Sequence, residues 1–370
     1  MMLKGKATRG GTASYAARFT SLPGNFRPMF ELAASSLGIG TYLGEMDAET
    51  DELYREAAKI AVAGGVNVID SAVNYRFQRS ERSIGAAIKQ LIDTGSAGRE
   101  ELVVASKGGY ITFDGDMPDN PREYFEAAFV KTGLIGPGDL VDNSHCMTPR
   151  YIEAMLDKSR ANLGLETIDV YFLHNPEAQV AAVGRAEFMR RVRLVFELLE
   201  RKVADGAIGV YGTATWNGYR VKPDSADYLS LQELVDLAAA VAGPNHHFKV
   251  VQLPYSLAMP EAFTTHNQKI KGEDQMLSML EAARALGVAV WASASLLQGR
   301  LTNRLPEVVA EAMEGLRTDA QRSIQFVRST PGVNVALVGM KTASHLAENL
   351  ETLRRPTAPF ESFMKLFTKA

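Results

Sequence analysis

The sequence is poor in the features that mark secreted, membrane-spanning and nucleic-acid-binding proteins. It has one cysteine, Cys146, in 370 residues, so no intrachain disulfide can form and a reducing, cytoplasmic setting is expected. No run of about 18 apolar residues occurs, so we expect no transmembrane helix and no membrane partner. No basic tract stands out against a net charge of -3, which argues against nucleic acid as a partner. The basic N-terminus lacks the apolar core of a secretory signal and is expected to be a polar tail.

What the chain does contain is a short apolar segment that recurs, each time followed by a polar or helical stretch. Such segments are rich in β-branched residues and nearly continuous in apolar character, which is typical of parallel strands buried on both faces. The predicted strands are 37–42, 66–70, 102–107, 168–174, 208–213, 250–253, 288–293 and 333–338. The predicted helices are 48–63, 149–164, 186–204, 229–241, 274–286, 318–329 and 344–353.

This alternation predicts an α/β protein with the closed (β/α)8 fold, the TIM barrel. An open doubly wound sheet is the competing arrangement, and it is disfavoured because no G-x-G-x-x-G follows an early strand. We divide the chain into an N-terminal extension, residues 1–35, and one barrel domain, residues 36–370. The extension either plugs the barrel floor or stays loose. Long connections at 108–147 and 215–228 are expected to overhang the catalytic face.

Four polar residues come at or just after the carboxyl ends of predicted strands, where TIM-barrel active sites lie. Asp70, Lys107 and His174 end the second, third and fourth strands, and Tyr75 follows the second. Each alone has an ordinary structural explanation, such as a helix cap or a buried histidine. Together they predict proton transfer from a phenol: an ammonium at Lys107, oriented by Asp70, would lower the Tyr75 pKa from about 10. His174 would orient a carbonyl oxygen, and hydride would come from a nicotinamide or flavin cofactor.

These residues lie in segments that resemble the aldo-keto reductase family. Segment 69–75 (IDSAVNY), followed by 80–81 and 84–85, is similar to the family's signature around its second strand. Further similar segments, in the family's order, are 106–107, 168–174, 252–255, 339–342 and 348–349. The resemblance implies an NADPH-dependent carbonyl reductase on a (β/α)8 barrel. Asp70, Tyr75, Lys107 and His174 match the catalytic tetrad of the family, with Tyr75 as the general acid.

The resemblance also implies a site for NADP(H). The positions that match or neighbour its cofactor contacts are Gly40, Thr41, Thr215, Gln252, Ser293, Leu296, Gly299, Gly339, Lys341, Thr342, His345, Glu348 and Asn349. Gln252 matches the residue that binds the nicotinamide carboxamide, and Lys341 and Thr342 match positions near the 2′-phosphate. The residue types are consistent with a phosphate site here, because a helix beginning at Ser344 favours phosphate at its N-terminus and Lys341 adds positive charge. The alternative for Lys341 is a solvated loop lysine.

Two segments depart from the family's pattern. After strand five the family commonly reads Gly-Val-Ser-Asn, whereas this chain reads GTAT at 212–215, so Thr215 keeps a hydroxyl but lacks the amide. After strand seven, Ser293 stands where the family commonly has a tyrosine that stacks on the nicotinamide. Either the affinity for the cofactor is weaker, or Trp216 or Trp291 takes over this support.

The expected partner is a small carbonyl or alcohol substrate. Tyr42, Tyr110 and Trp216 are the candidate substrate contacts, and such aromatic residues favour an apolar or aromatic carbonyl. Two other functions stay open. One is a cofactor-binding accessory or redox-sensing subunit with little turnover, motivated by the two departures. The other is a metal-dependent isomerase, for which only Asp70 and His174 converge, so no metal site is expected. The sequence leaves the oligomeric state open.

Overall fold

The fold is a closed barrel of parallel strands, seen in a computed structural model that describes residues 2–368. The eight barrel strands are β1 (Leu37–Gly40), β2 (Val68–Asp70), β3 (Val103–Gly108), β4 (Ile168–His174), β5 (Ile208–Ala214), β6 (Phe248–Pro254), β7 (Ala289–Ser293) and β8 (Val335–Gly339). Each strand pairs with its neighbours in the chain, and β8 pairs with β1 to close the barrel. The predicted (β/α)8 fold is therefore confirmed.

Outer helices accompany the strands. They are α1 (Ala48–Ala63), α2 (Arg79–Asp93), α3 (Pro149–Leu163), α4 (Arg185–Ala204), α5 (Leu231–Ala242), α6 (Met279–Ala285), α7 (Asp319–Ser329) and α8 (Ala343–Glu351). Shorter helices lie at Arg9–Ala17, Pro121–Phe125, Glu126–Val130, Val180–Val183, Glu261–Thr264, Glu307–Ala312 and Phe360–Thr368, with 3-10 turns at Arg99–Glu101, Pro176–Gln179, Leu297–Gly299 and Thr352–Arg354. Within residues 2–368, no helix is both long enough and apolar enough to cross a membrane.

Among the outer helices α1 to α8, two differ clearly from the sequence prediction. Helix α2 is not predicted from the sequence, because its start carries no ordinary signal: Gln78 at the N-cap is left-handed and its side chain makes no capping hydrogen bond. Helix α6 begins at Met279 rather than at 274. Residues Leu277–Ser278 instead form a short strand with His266–Gln268, and Ser278 with Glu281 forms a capping box that starts the helix.

Apolar side chains fill the barrel interior, and an N-terminal hairpin covers its floor. Phe26–Met29 pairs with Leu32–Ser35, and Met29, Leu32 and Ala34 belong to the same buried cluster as the barrel-strand residues Val68 and Trp291. Asn67 joins the hairpin to the barrel by accepting from the Ser35 backbone N–H at 2.8 Å and donating to the Ala33 carbonyl at 2.9 Å. The division into an extension and a barrel domain stays a prediction. The contacts show the hairpin packed on the barrel floor, so this part of the extension is not loose.

Candidate active site

The parallel register brings the candidate residues to one end of the barrel. Asp70 lies opposite Gly40 of β1, His174 lies opposite Ala214 of β5, and Gln252 of β6 pairs with the same alanine. The carboxyl ends of these strands open into a cavity of about 1080 Å³. The location agrees with the expectation for a TIM barrel, in which the loops at this end form the active site.

Asp70 and Lys107 form a buried ion pair at the base of the cavity. The Lys107 ammonium donates to Asp70 Oδ2 at 2.6 Å and to the Ser71 carbonyl at 2.8 Å. Lys107 is fully buried and lies 4.6 Å from the centre of the Tyr75 ring. The ring of His174 lies 5.9 Å from that of Tyr75. The structure thus brings all four predicted residues together, although Lys107 lies behind the cavity wall rather than in it.

The direction of the pKa shift of Tyr75 differs from the sequence expectation. Burial raises the pKa of Tyr75 well above its usual value, because the phenolate loses its solvation, and the negative charge of Asp70 raises it further. Burial also lowers the pKa of Lys107, an effect that Asp70 opposes. The expected lowering of the Tyr75 pKa by the ammonium does not dominate in this environment. Tyr75 is therefore a neutral phenol that holds its proton across the physiological range.

His174 is neutral as well. Burial, together with the nearby Lys107 charge, places the pKa of His174 well below its usual value. Its Nδ1 atom is buried and has no hydrogen-bond partner among residues 2–368. A neutral imidazole can donate a hydrogen bond to a carbonyl oxygen without transferring a full charge to it.

A second histidine supports His174 from the long connection after β3. His145 lies in a hairpin formed by Leu140–Val141 and His145–Cys146, and its Nε2 is 2.7 Å from the His174 carbonyl oxygen. Its Nδ1 is 3.1 Å from Gln179 Nε2. Because that amide nitrogen can only donate, Nδ1 accepts and Nε2 carries the proton. Burial lowers the pKa of His145 to about 4, so this arrangement is stable near neutrality. Sequence reasoning missed His145, which no motif marks.

All of the predicted cofactor contacts line the cavity. They are Gly40, Thr41, Thr215, Gln252, Ser293, Leu296, Gly299, Gly339, Lys341, Thr342, His345, Glu348 and Asn349. Lys341 precedes α8, whose N-cap residue is Thr342. The Thr342 hydroxyl oxygen is buried without a partner among residues 2–368. A helix N-terminus, a free hydroxyl and an ammonium together suit a phosphate group. Gln252 is already engaged, since its Nε2 donates to Asp70 Oδ1 at 2.9 Å.

The two tryptophans lie in different environments. Trp291 is fully buried inside the barrel, where its Nε1 is 3.0 Å from the sulfur of Met29, and it does not line the cavity. Of the two replacements considered for the missing aromatic support, Trp291 is therefore excluded by its position. Trp216 does line the cavity and is 46% exposed.

The other predicted substrate contacts also lie at the mouth of the cavity. Tyr42 packs edge-on against Tyr75 at 5.1 Å, and Tyr110 packs edge-on against His174 at 5.0 Å. The Tyr110 hydroxyl accepts from Asn175 Nδ2 at 3.0 Å. Sequence reasoning missed Asn175, although its place directly after His174 marked it as a strand-end residue. It also missed other lining residues, which include Asn74, Gln298 and Arg300.

Among residues 2–368, no group of three or more histidine, cysteine, aspartate or glutamate side chains is placed to hold a metal ion. Asp70 is already committed to Lys107 and Gln252. The donors that a metal-dependent isomerase needs are thus not assembled in the described part of the chain.

Comparison with known proteins gives one consistent family. The model of the Aldo/keto reductase family matches residues 36–363. Human aldo-keto reductase family 1 member C2 is 29% identical over 153 residues, which cover 41% of this chain and 33% of the human protein. D-threo-aldose 1-dehydrogenase of Pseudomonas sp is 26% identical over 183 residues, covering 49% of this chain and 50% of that protein. The matched region thus spans only a third to a half of these curated relatives.

Solved structures resemble most of the chain. An aldo/keto reductase from Klebsiella pneumoniae, in complex with NADP and acetate, is 20% identical with a TM-score of 0.62, covering 93% of this chain and 94% of that chain. An aldo-keto reductase from Bacillus halodurans in its holo form is 17% identical with a TM-score of 0.63, covering 93% and 95%. At this identity the likeness shows the shared fold.

Proposed function

The chain belongs to the aldo/keto reductase family, and on that premise we propose that it is an NADPH-dependent oxidoreductase that reduces an aldehyde or a ketone to an alcohol. The observation that carries the proposal is the buried Asp70–Lys107 ion pair beside the Tyr75 ring. A buried charge pair is costly to maintain, and its place at the base of the cavity suits a catalytic role.

Residues at the other end of the cavity fit an NADPH molecule. Thr342, Lys341 and the N-terminus of α8 would hold the 2′-phosphate, and Glu348 and Asn349 would contact the adenine. Gln252 and Thr215 would contact the carboxamide. The NADP in the Klebsiella pneumoniae structure supports this choice of cofactor. When bound, NADPH supplies the hydride that the carbonyl carbon receives.

The chain's own residues supply the proton and the orientation. The neutral His174 donates a hydrogen bond to the substrate's carbonyl oxygen and so directs that oxygen towards Tyr75. The Tyr75 hydroxyl gives its proton to the oxygen, which becomes the alcohol. The phenolate left behind lies near the Lys107 ammonium, which stabilises it until it regains a proton from water. Asp70 holds that ammonium in place.

The test is to replace Tyr75 by phenylalanine and to follow NADPH consumption with a reactive aromatic aldehyde. Phe retains the ring and loses the proton donor, so we expect turnover to fall by about 10²- to 10⁴-fold while NADPH binding, read by its fluorescence, is unchanged. Wild-type turnover in Tyr75→Phe would refute the assignment of Tyr75.

The second candidate is an accessory or redox-sensing subunit that binds NADPH with little turnover. Ser293 favours it, because this residue lines the cavity at the position where the family commonly has a stacking tyrosine. Tight NADPH binding by the wild-type protein with no turnover on any carbonyl would support this candidate over the reductase.

A further inference from the structure

The loop after β5 is held by a residue from a different strand end. Thr215 and Trp216 of this loop both line the cavity. Thr215 is anchored to the barrel, because its backbone N–H donates to the Gln252 carbonyl at 2.8 Å. The following residues leave the barrel and need another anchor, since a backbone N–H that is buried without an acceptor is costly.

Glu177 provides that anchor. Its Oε1 atom accepts from the backbone N–H groups of Trp216 at 2.6 Å, Asn217 at 3.1 Å and Gly218 at 3.4 Å. Glu177 is only 5% exposed and lies in the 3-10 turn Pro176–Gln179, which follows His174. One carboxylate thus connects the strand end that carries His174 to the loop that carries Trp216.

The Glu177 carboxylate has no cationic partner among the residues described, so an ion pair does not account for its burial. Its Oε2 atom is buried without a hydrogen-bond partner among residues 2–368. Its titratable neighbours are the hydroxyls of Tyr110 and Tyr219. Arg220, a cation of this loop, pairs with Glu261 at 3.0 Å and donates to the Trp216 carbonyl. A buried carboxylate without a cationic partner is costly even when it accepts backbone hydrogen bonds, so its presence points to a constraint on the loop beyond packing.

Resting on the proposed function, we propose that Glu177 is a positioning residue that holds Trp216 against the substrate end of the cavity and thereby sets the affinity for the carbonyl substrate. Thr215 has its own anchor on β6, so loss of the carboxylate displaces Trp216 and leaves the cofactor contacts in place. The wall formed by Tyr42, Tyr110 and Trp216 is aromatic and carries no charge, so it suits a substrate that presents a flat apolar face to the indole.

The test compares Glu177→Gln and Glu177→Ala with the control Glu153→Gln, which removes an exposed carboxylate paired with Lys202 on the outer helices. Intrinsic fluorescence reports the loop directly, since Trp216 is 46% exposed and Trp291 is fully buried. Quenching by acrylamide should therefore increase in Glu177→Ala and remain at the wild-type level in Glu153→Gln.

Steady-state kinetics should separate an effect on substrate binding from an effect on cofactor binding. We expect Glu177→Ala to raise the KM for an aromatic aldehyde by up to about tenfold, the size of one lost aromatic contact with Trp216, with unchanged NADPH affinity and a smaller effect on kcat. Trp216→Ala should raise the same KM, and the double variant should raise it no further. A purely structural role would instead lower stability and weaken both ligands together.

The pH dependence of Trp216 quenching in the wild-type protein tests the proposal independently of whether Glu177→Ala folds. Burial raises the pKa of Glu177 to about 6, and hydrogen bonds from the backbone N–H groups of Trp216, Asn217, Gly218 and Glu177 itself only partly oppose this rise. As the pH falls through this value the carboxylate gains a proton, the loop loses its charged acceptor, and quenching of Trp216 should rise. Glu177→Gln should show no such transition.

Wild-type quenching and wild-type KM in Glu177→Ala would overturn the proposal, as would the absence of a fluorescence transition near pH 6 in the wild-type protein. If no variant, nor the wild type, reduces any carbonyl, the proposed reductase function fails instead. The quenching experiment then still decides whether Glu177 holds Trp216.

Discussion

At the scale of single residues, the chemistry depends on which groups lose solvent. Tyr75, Lys107 and His174 are all buried, and burial favours the neutral form of each ionisable group. For Lys107 the Asp70 carboxylate opposes this effect at 2.6 Å, whereas Tyr75 and His174 have no charged partner of that kind. The site therefore combines an ion pair with a neutral phenol and a neutral imidazole, which is the state needed to donate a proton to a carbonyl oxygen.

The raised pKa of Tyr75 predicts the pH profile. Because the phenol keeps its proton, kcat/KM for carbonyl reduction should be flat between about pH 7 and pH 9, and His174, whose pKa is well below its usual value, adds no transition there. Oxidation of an alcohol needs the phenolate, so its rate should rise with pH over the same range. Steady-state kinetics of carbonyl reduction and of alcohol oxidation, each followed as a function of pH, measure these two profiles. A fall in the reduction rate with a midpoint near neutrality would contradict it.

At the scale of secondary-structure elements, the turn between β2 and α2 decides where Tyr75 lies. Arg76, Phe77 and Gln78 have positive φ values of 48°, 51° and 74°. Each such non-glycine residue costs about 1 kcal/mol or more, so neighbouring contacts must hold the turn. Arg76 supplies several of these contacts: it donates to the Glu45 carbonyl at 2.7 Å and pairs with Asp51 at 2.7 Å.

Replacing Arg76 by methionine should destabilise this turn. The Arg76 side chain is 1% exposed, so its hydrogen bonds are not replaced by water, and we expect a loss of about 2–3 kcal/mol in the free energy of unfolding with a fall in kcat. The matched control is Arg82→Met on α2, where the side chain is 43% exposed and the expected loss is below about 1 kcal/mol. Denaturant titration measures both. Equal losses would show that the turn does not depend on Arg76.

At the scale of the whole molecule, the two ends of the barrel have different roles. The carboxyl ends of the strands open into the cavity, whereas the N-terminal hairpin covers the opposite end with Met29, Leu32 and Ala34. The loops at the open end can therefore differ from those of relatives while the barrel beneath keeps its packing. This separation is a general property of TIM barrels, in which stability and activity lie at opposite ends.

Truncation of the hairpin's buried methionine tests the structural role of the floor. Met29→Ala should lower the free energy of unfolding by about 2–5 kcal/mol, because Met29 is 1% exposed and packs against Trp291. Met46→Ala, at a side chain that is 41% exposed, should change it by less than about 0.5 kcal/mol. Turnover of folded Met29→Ala should be close to wild type. A loss of activity without a loss of stability would contradict this account.

Local patterns along the chain were enough to predict the barrel and the position of most of its site. The apolar runs mark the strands, and the direction of parallel strands then places Asp70, Lys107 and His174 at one end without any knowledge of contacts. Tyr75 is predicted from its position just after the second strand, ahead of any family resemblance, although the left-handed course of residues 76–78 beside it has no sequence signal. The cofactor positions depended on the same resemblance, and all of them line the cavity.

Only the tertiary structure decided the features that arise between distant segments. Burial is a property of the assembled barrel, so the raised pKa of Tyr75 and the neutral His174 could not be read from residue types. The hairpin beneath Trp291 and the His145 contact with His174 join residues far apart in the chain. Glu177 has no motif of its own, and its three backbone donors come from a loop about 40 residues later. Sequence periodicity determines which elements form, whereas the charge and position of a buried side chain depend on what folds around it.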